Sequence, residues 1–119
     1  MKPRIVKAHD SKETLTSERC FVAENYSGDD ISVAQARVKP GITTVSHHLE
    51  GVNEIYMIVS GEGQVDIGEL PSTKVNAGDL VVIPAGTSQR ISNIGENDLI
   101  FYCVCTPKFT SQSYHDHET

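Results

Sequence analysis

Residues 41–61 read Gly-Ile-Thr-Thr-Val-Ser-His-His-Leu-Glu-Gly-Val-Asn-Glu-Ile-Tyr-Met-Ile-Val-Ser-Gly. Between the two terminal glycines lie two runs rich in β-branched and aromatic residues, which are typical of β-strands. The four residues that separate the runs, Glu50-Gly51-Val52-Asn53, suit a tight turn because Gly and Asn tolerate turn conformations. The pattern therefore predicts a hairpin that places His47 and Glu54 on adjacent antiparallel strands, close to the turn.

His47 and Glu54 are the first candidate functional residues. An imidazole and a carboxylate that face one interior can form a metal site or an acid–base pair. The residues alone leave a second interpretation open, in which both side chains are solvated beside the turn. Tyr56 follows Glu54 by two residues and shares its face, because side chains alternate along a strand. A phenol at this position either orients a substrate or packs in the core with its hydroxyl at the rim.

The rest of the chain indicates further short strands. Apolar or alternating runs recur about every 8–12 residues with turn residues between them, and no segment has a sustained helical period. The predicted strands are 20–24, 31–39, 64–67, 74–76, 80–83, 89–92 and 99–105, with an edge strand near Ile5 and Val6. The run 80–83 is typical of a buried strand. This pattern predicts an all-β sandwich or barrel.

Size and charge narrow the classes of function. A chain of 119 residues is one domain that can bury a core without disulfide or metal staples. The net charge of −6 argues against nucleic-acid or anionic-membrane partners. No apolar run approaches the ~20 residues of a membrane span, and no signal peptide is evident, so a cytoplasmic protein with reduced thiols is expected. Cys103 and Cys105 share one strand face, where core packing is expected rather than a disulfide or a soft metal.

Two separated motifs resemble those of the cupins, small all-β barrels of the jelly-roll, or double-stranded β-helix, type. The chain carries eight of the ten fixed residues at the expected spacing, and they are Gly41, His47, Glu54, Gly61, Gly78, Pro84, Gly86 and Asn93. The two departures are Leu49 and Gln89, which both replace metal-ligating histidines. The resemblance implies a cupin barrel over residues 31–107, with an N-terminal arm and edge strands at 1–30. Residues 108–119 are expected to be a polar, extended tail whose histidines are disordered and uninvolved.

The resemblance also implies a ligand set. In cupins that carry all four ligands, two histidines, a glutamate and a last histidine hold one divalent metal in the barrel mouth. Position by position, this chain keeps His47 and Glu54, offers Gln89 and has no donor at Leu49. The reduced set implies a weakly held Mn, Fe, Ni, Co or Zn ion. Alternation turns His48 to the opposite face, so it replaces the missing ligand only if a bulge redirects it.

The function implied by the resemblance is action on a small polar molecule, with Glu54 and Tyr56 as the catalytic candidates. A sugar-phosphate-isomerase-like or lyase-like reaction is favoured over an oxygenase, because the two-His-one-carboxylate set is incomplete. The alternative is a vestigial or non-catalytic cupin that binds a small ligand without a metal. Small cupins often pair through their N-terminal strands and outer sheet faces, so a homodimer is also implied.

Overall fold

The computed structural model describes all residues, 1–119, and contains two short 3-10 helices, Ala8–Asp10 and Ser111–Ser113, beside many strands. The strands are β1 (Thr14–Leu15), β2 (Phe21–Ser27), β3 (Ser32–Val38), β4 (His47–Leu49), β5 (Asn53–Ser60), β6 (Glu62–Ile67), β7 (Thr73–Asn76), β8 (Leu80–Ile83), β9 (Gln89–Asn93), β10 (Leu99–Thr106) and β11 (Tyr114–Asp116). None of the helices has the length and apolar character needed to cross a membrane.

The strands form two sheets that face each other. The six-stranded sheet has the order β1-β2-β3-β10-β5-β8, and the five-stranded sheet has the order β11-β4-β9-β6-β7. Every paired strand runs antiparallel to its neighbour. The prediction of an all-β jelly-roll barrel is confirmed.

The core lies between the two sheets and follows from alternation. Ile58 and Leu99 point inward from the six-stranded sheet, and Ile67 and Ile91 point inward from the five-stranded sheet. Each such buried side chain contributes about 1.5–3 kcal/mol of hydrophobic stabilisation. Tyr56 belongs to this apolar cluster and also lines a cavity that adjoins it, so the core directly supports the wall of the cavity.

The predicted hairpin between residues 47 and 54 is wrong. Strand β4 pairs with β9 and β11, whereas β5 pairs with β10 and β8 in the other sheet. The turn around Gly51 therefore carries the chain from one sheet to the other, and His47 and Glu54 reach the interior from opposite walls. Alternation in the sequence shows which side chains share a face, but it does not identify the partner strand.

Two further expectations about strands are corrected. No strand forms at Ile5 and Val6, and the first strand, β1, is the edge strand next to β2. Strand β8 lies at the opposite edge of the same sheet, with Leu80 59% and Val82 63% exposed. An apolar run alone therefore did not distinguish an edge strand from a strand that is buried on both faces.

The expectation of a disordered, uninvolved C-terminal segment is also wrong. Strand β11 pairs with β4 and extends the edge of the five-stranded sheet. The Arg19 guanidinium donates to both carboxylate oxygens of Glu118, at 3.1 and 3.0 Å, and the backbone N–H of His117 donates to the Ser46 carbonyl at 2.8 Å. Backbone pairing and this bidentate ion pair together hold the segment against the barrel.

One motif glycine connects the two sheets. Gly61 joins β5 to β6 with φ at +92°, in the region that favours glycine. A Cβ atom at this position would lie 2.7 Å from the Asp98 carbonyl oxygen, closer than side chains tolerate. The close backbone approach explains why this position requires glycine in this chain.

Candidate functional site

A cavity of about 340 Å³ lies between the sheets, within the range of small-molecule sites. His47, Glu54 and Tyr56, three of the predicted site residues, line it. Gln89, the fourth, contacts Tyr56 directly. The structure therefore brings all four predicted residues to one region of the barrel interior.

Strand register places a carboxyl group beside two thiols. Glu54 on β5 is the partner of Cys105 on β10, and Tyr56 is the partner of Cys103. All four side chains occupy alternate positions on paired strands and line the cavity. The expectation that the two cysteines pack in the core is thus only partly met, because they form part of the cavity wall.

Glu54 is the group of this wall whose raised pKa lies near neutral pH. The residue is 7% exposed, and its Oε1 atom has no hydrogen-bond partner. Its Oε2 atom accepts a weak hydrogen bond from the Cys105 thiol, with Sγ 3.6 Å away. Burial raises the pKa of Glu54 to about 7, and repulsion from Glu18 adds to this shift, while Gln89 and the neighbouring thiols oppose it in part. A carboxyl group with this pKa can both accept and donate a proton near neutral pH.

His47 presents one ring nitrogen to the cavity. Its Nδ1 atom lies 2.9 Å from the Val45 carbonyl oxygen and 3.3 Å from Glu18 Oε1. Because both neighbours accept hydrogen bonds, Nδ1 carries a proton, and Nε2 is the nitrogen left for a ligand. The Tyr114 ring stacks on the imidazole, with centroids 4.7 Å apart. These contacts fix the orientation of the ring.

Tyr56 and Gln89 form a buried hydrogen-bonded pair. The Tyr56 hydroxyl donates to Gln89 Oε1 at 2.6 Å, and both side chains are buried. Burial raises the pKa of Tyr56 well above its usual value, so the phenol stays neutral. The ring of Tyr56 also packs against Phe101, with centroids 4.7 Å apart. The contact gives Tyr56 a role in fixing the Gln89 amide.

Sequence reasoning missed two residues of the site, Glu18 and Tyr114. Glu18 lies between β1 and β2, in a polar stretch without a recognisable motif, and its carboxyl lines the cavity beside His47. Burial raises the pKa of Glu18, although the charge of His47 opposes the shift. Tyr114 lies in the segment that was expected to be disordered. No pattern in the sequence pointed to either residue.

The three thiols of the chain are free and line the same cavity. Burial raises the pKa of Cys20 to about 12 and raises the pKa of Cys103 and Cys105 as well. All three are therefore neutral thiols near neutral pH. They supply weak hydrogen-bond donors to the cavity rather than nucleophiles.

The side chains at the four cupin ligand positions do not fit a tightly held metal. Leu49 has no donor atom, and Gln89 Oε1 already accepts a hydrogen bond from Tyr56. No three His, Cys, Asp or Glu side chains converge as a group able to hold an ion. His48 does not supply the missing ligand, because its ring lies among His115 and His117 on the outer surface, as alternation predicts. At these four positions the chain therefore offers His47, Glu54 and an already engaged Gln89 amide oxygen.

The architecture is that of a small jelly-roll barrel whose interior cavity is lined by buried polar side chains, among them His47 and Glu54. The family model described as "Cupin domain" matches residues 34–105. This match spans more than half of the chain, and the chain therefore belongs to the cupin family.

Comparisons with individual proteins agree with this assignment. An uncharacterised protein from Methanocaldococcus jannaschii is 32% identical over 87 residues, which cover 73% of this chain and 69% of that protein. An oxalate-binding protein from Thermotoga maritima is 38% identical over 72 residues, which cover 60% of this chain and 58% of that protein, less than two thirds of its length. The structure of KdgF from Halomonas sp. superposes with a TM-score of 0.84 at 15% identity, over 93% of this chain and 99% of that one, which supports the fold alone.

Proposed function

We propose that this cupin acts on a small polar molecule in the barrel cavity by proton transfer at Glu54, without a resident metal. The observation that carries the proposal is the buried Glu54 carboxyl, whose Oε1 atom has no partner and whose pKa is raised to about 7. An unpaired buried oxygen costs free energy unless a ligand satisfies it. A pKa near the working pH is what a general acid–base group needs.

Two reaction classes follow from this arrangement. In an isomerisation, the Glu54 carboxylate takes a proton from a substrate carbon, exchanges it with solvent and returns a proton to a neighbouring atom. In an elimination, Glu54 removes the proton while the imidazolium form of His47 gives its Nε2 proton to the departing hydroxyl, which leaves as water. Both schemes balance without an oxidant or a metal. Glu18 and the Val45 carbonyl orient His47 for the second role through Nδ1.

Tyr56 remains a catalytic candidate through its position on the cavity wall. Its hydroxyl proton is engaged by Gln89, so the proposed role is to hold the amide and to offer an oxygen lone pair to a substrate donor.

Metal ligation by His47, Glu54 and Gln89 is the competing hypothesis. The unpaired Glu54 Oε1 favours it, because an ion would satisfy that atom. Elemental analysis of tag-free protein separates the two hypotheses. About one equivalent of a divalent metal per chain, lost in His47→Ala, would support the metal site and overturn the metal-free proposal.

The second candidate function is binding without chemistry. The relative from Thermotoga maritima is named an oxalate-binding protein, which supports a binding role for a similar barrel. The catalytic and binding hypotheses differ in whether carbon-bound hydrogens of the bound molecule exchange with solvent. Only the catalytic hypothesis requires that exchange.

The test starts from a screen of small metabolites for ligands that raise the melting temperature of the protein. Each ligand is then incubated with the protein in D₂O and followed by proton NMR for loss of C–H signals. We expect exchange in the wild type and a rate roughly 100-fold lower or more in Glu54→Gln. Glu96→Gln removes an equivalent charge from an exposed loop and should not affect the rate. Ligands that bind without exchange in the wild type would support the binding role instead.

We also propose that two copies pair through the outer face of the six-stranded sheet. The exposed apolar side chains of Met57 and Val59 on β5 and of Leu80 and Val82 on β8 form neighbouring rows there. Burying such a patch against a second copy is favourable. Light scattering should give twice the monomer mass for the wild type and the monomer mass for Val82→Lys. A monomeric wild type at micromolar concentration would contradict this proposal.

A further inference from the structure

The charges that line the cavity are almost all negative. Glu18, Glu24 and Glu54 contribute carboxyl groups, whereas the lining contains neither lysine nor arginine. His47 is the only basic side chain of the wall. The nearest arginine in sequence, Arg19, is engaged by Glu118 and by the Thr43 carbonyl. A carboxylate or phosphate ligand would therefore enter a cavity that lacks the fixed positive charge such anions require.

Glu54 gives this acidic wall a specific acceptor. The side chain is more than nine-tenths buried, lines the cavity and has an Oε1 atom without any hydrogen-bond partner. The groups that face it are the amide of Gln89, the thiols of Cys103 and Cys105, the phenol of Tyr56 and the carboxyl of Glu18. None of these groups carries a positive charge. A ligand that brings hydrogen-bond donors and positive charge would complement these carboxyl groups.

The remainder of the wall suits an apolar body. Most of the lining residues are hydrophobic, and the wall includes four aromatic rings, those of Tyr56, Phe101, Phe109 and Tyr114. Aromatic faces attract organic cations and pack against apolar carbon. The cavity volume of about 340 Å³ limits the ligand to a small molecule.

We propose that the ligand of this cavity is a small organic amine, bound as its ammonium ion between Glu54 and Glu18 with its carbon body against the aromatic wall. This inference rests on the proposed function and names the substrate class for the same site. The ammonium group donates to Glu54 Oε1 and to the Glu18 carboxylate, which places the neighbouring carbon beside the group proposed for proton transfer. An amine ligand would also distinguish this chain from its oxalate-binding relative, because oxalate is a dianion.

Three probes of nearly equal shape test the charge preference. Benzylamine, benzyl alcohol and benzoate are titrated calorimetrically into the full chain at pH 8, with EDTA present so that no metal mediates binding. We expect benzylamine to bind at least ten-fold more tightly than either other probe. The preference should disappear in Glu54→Gln, fall in Glu18→Gln and persist in Glu96→Gln, which changes an exposed carboxyl outside the cavity.

Glu18→Gln keeps the inference testable if Glu54→Gln does not fold. Equal binding of amine and alcohol, tighter binding of benzoate, or no binding of any probe would each overturn the amine inference. None of these results would overturn proton transfer at Glu54, which the separate exchange measurement on screened ligands decides. Selective binding of the amine without exchange of its C–H hydrogens with solvent would support the amine ligand and overturn proton transfer at Glu54.

Discussion

Tyr114 stacks on His47 with ring centroids 4.7 Å apart, so a residue near the C-terminus covers the imidazole of the cavity. The contact depends on the pairing of β11 with β4, in which Tyr114 is the partner of Leu49. Tyr114 also lines the cavity, and its hydroxyl faces the Glu18 carboxyl. The C-terminal segment is therefore part of the site.

Replacement of Tyr114 tests this role. Tyr114→Ala should lower the free energy of unfolding by about 1–3 kcal/mol, because it removes the stacking contact and apolar burial. It should also weaken ligand binding, since His47 loses its cover. Urea denaturation and calorimetry measure the two effects. Tyr114→Phe is the matched control, because it keeps the stacked ring and removes only the hydroxyl that faces Glu18. Equal stability of Tyr114→Ala and the wild type would contradict a structural role for the stack.

The raised pKa of Glu54 predicts a dependence of stability on pH. In the unfolded chain the group titrates near 4.5, and in the folded chain near 7. Between these values the folded state binds more protons than the unfolded state, so the free energy of unfolding falls as the pH rises. The group's contribution is fully present below pH 4.5 and lost above pH 7, with a span of at most about 3 kcal/mol.

Urea denaturation from pH 4.5 to pH 8 measures this slope, and the pH window follows from the two values of the Glu54 carboxyl. Glu54→Gln cannot ionise, so its curve should be flatter than that of the wild type by about 2–3 kcal/mol across the window. The exposed substitution Glu96→Gln should leave the slope unchanged. Parallel curves for Glu54→Gln and the wild type would mean that burial does not raise the pKa of Glu54.

The sequence predicted the barrel more fully than the arrangement of its site. The spaced glycines of the two motifs, such as Gly61 and Gly78, and the alternation along strands are local signals. In the structure the Glu54 and Tyr56 side chains are both buried. Which strands pair is a long-range property. The chain between His47 and Glu54 therefore looked like a hairpin, although it crosses from sheet to sheet.

Glu18 and Tyr114 are cavity residues that no local sequence pattern indicated. Each lies in a polar stretch whose local composition is typical of an exposed arm or tail. Their inclusion in the cavity depends on contacts with His47, which is distant from both along the chain. Local periodicity contains no information about such contacts, so only the folded arrangement identifies these two residues.

The raised pKa values of the three cysteine thiols predict slow alkylation. Burial raises the pKa of Cys20 to about 12 and also shifts Cys103 and Cys105 upward, so little thiolate forms at pH 8. Iodoacetamide should label the folded protein at least about 100-fold more slowly than the urea-unfolded protein, because the thiolate is the nucleophile. Mass spectrometry counts the labelled cysteines over time. Rapid labelling of Cys103 in the folded protein would show that solvent reaches the thiols beside Glu54.

Leu49 and Gln89 replace two histidines of the cupin ligand set, so restoring both histidines should increase metal binding. Leu49 and Gln89 are both buried, on β4 and β9, and Gln89 is the strand partner of His47. Leu49→His combined with Gln89→His should create a three-histidine, one-carboxylate set with Glu54, which suits a divalent transition metal. Elemental analysis should give about one metal per chain in the double variant, well above the wild type. Leu49→Phe with Gln89→His is the control, since it adds a ring without a donor at position 49 and should bind more weakly. Equal metal content in the wild type and the double variant would show that substitutions at 49 and 89 do not limit metal binding.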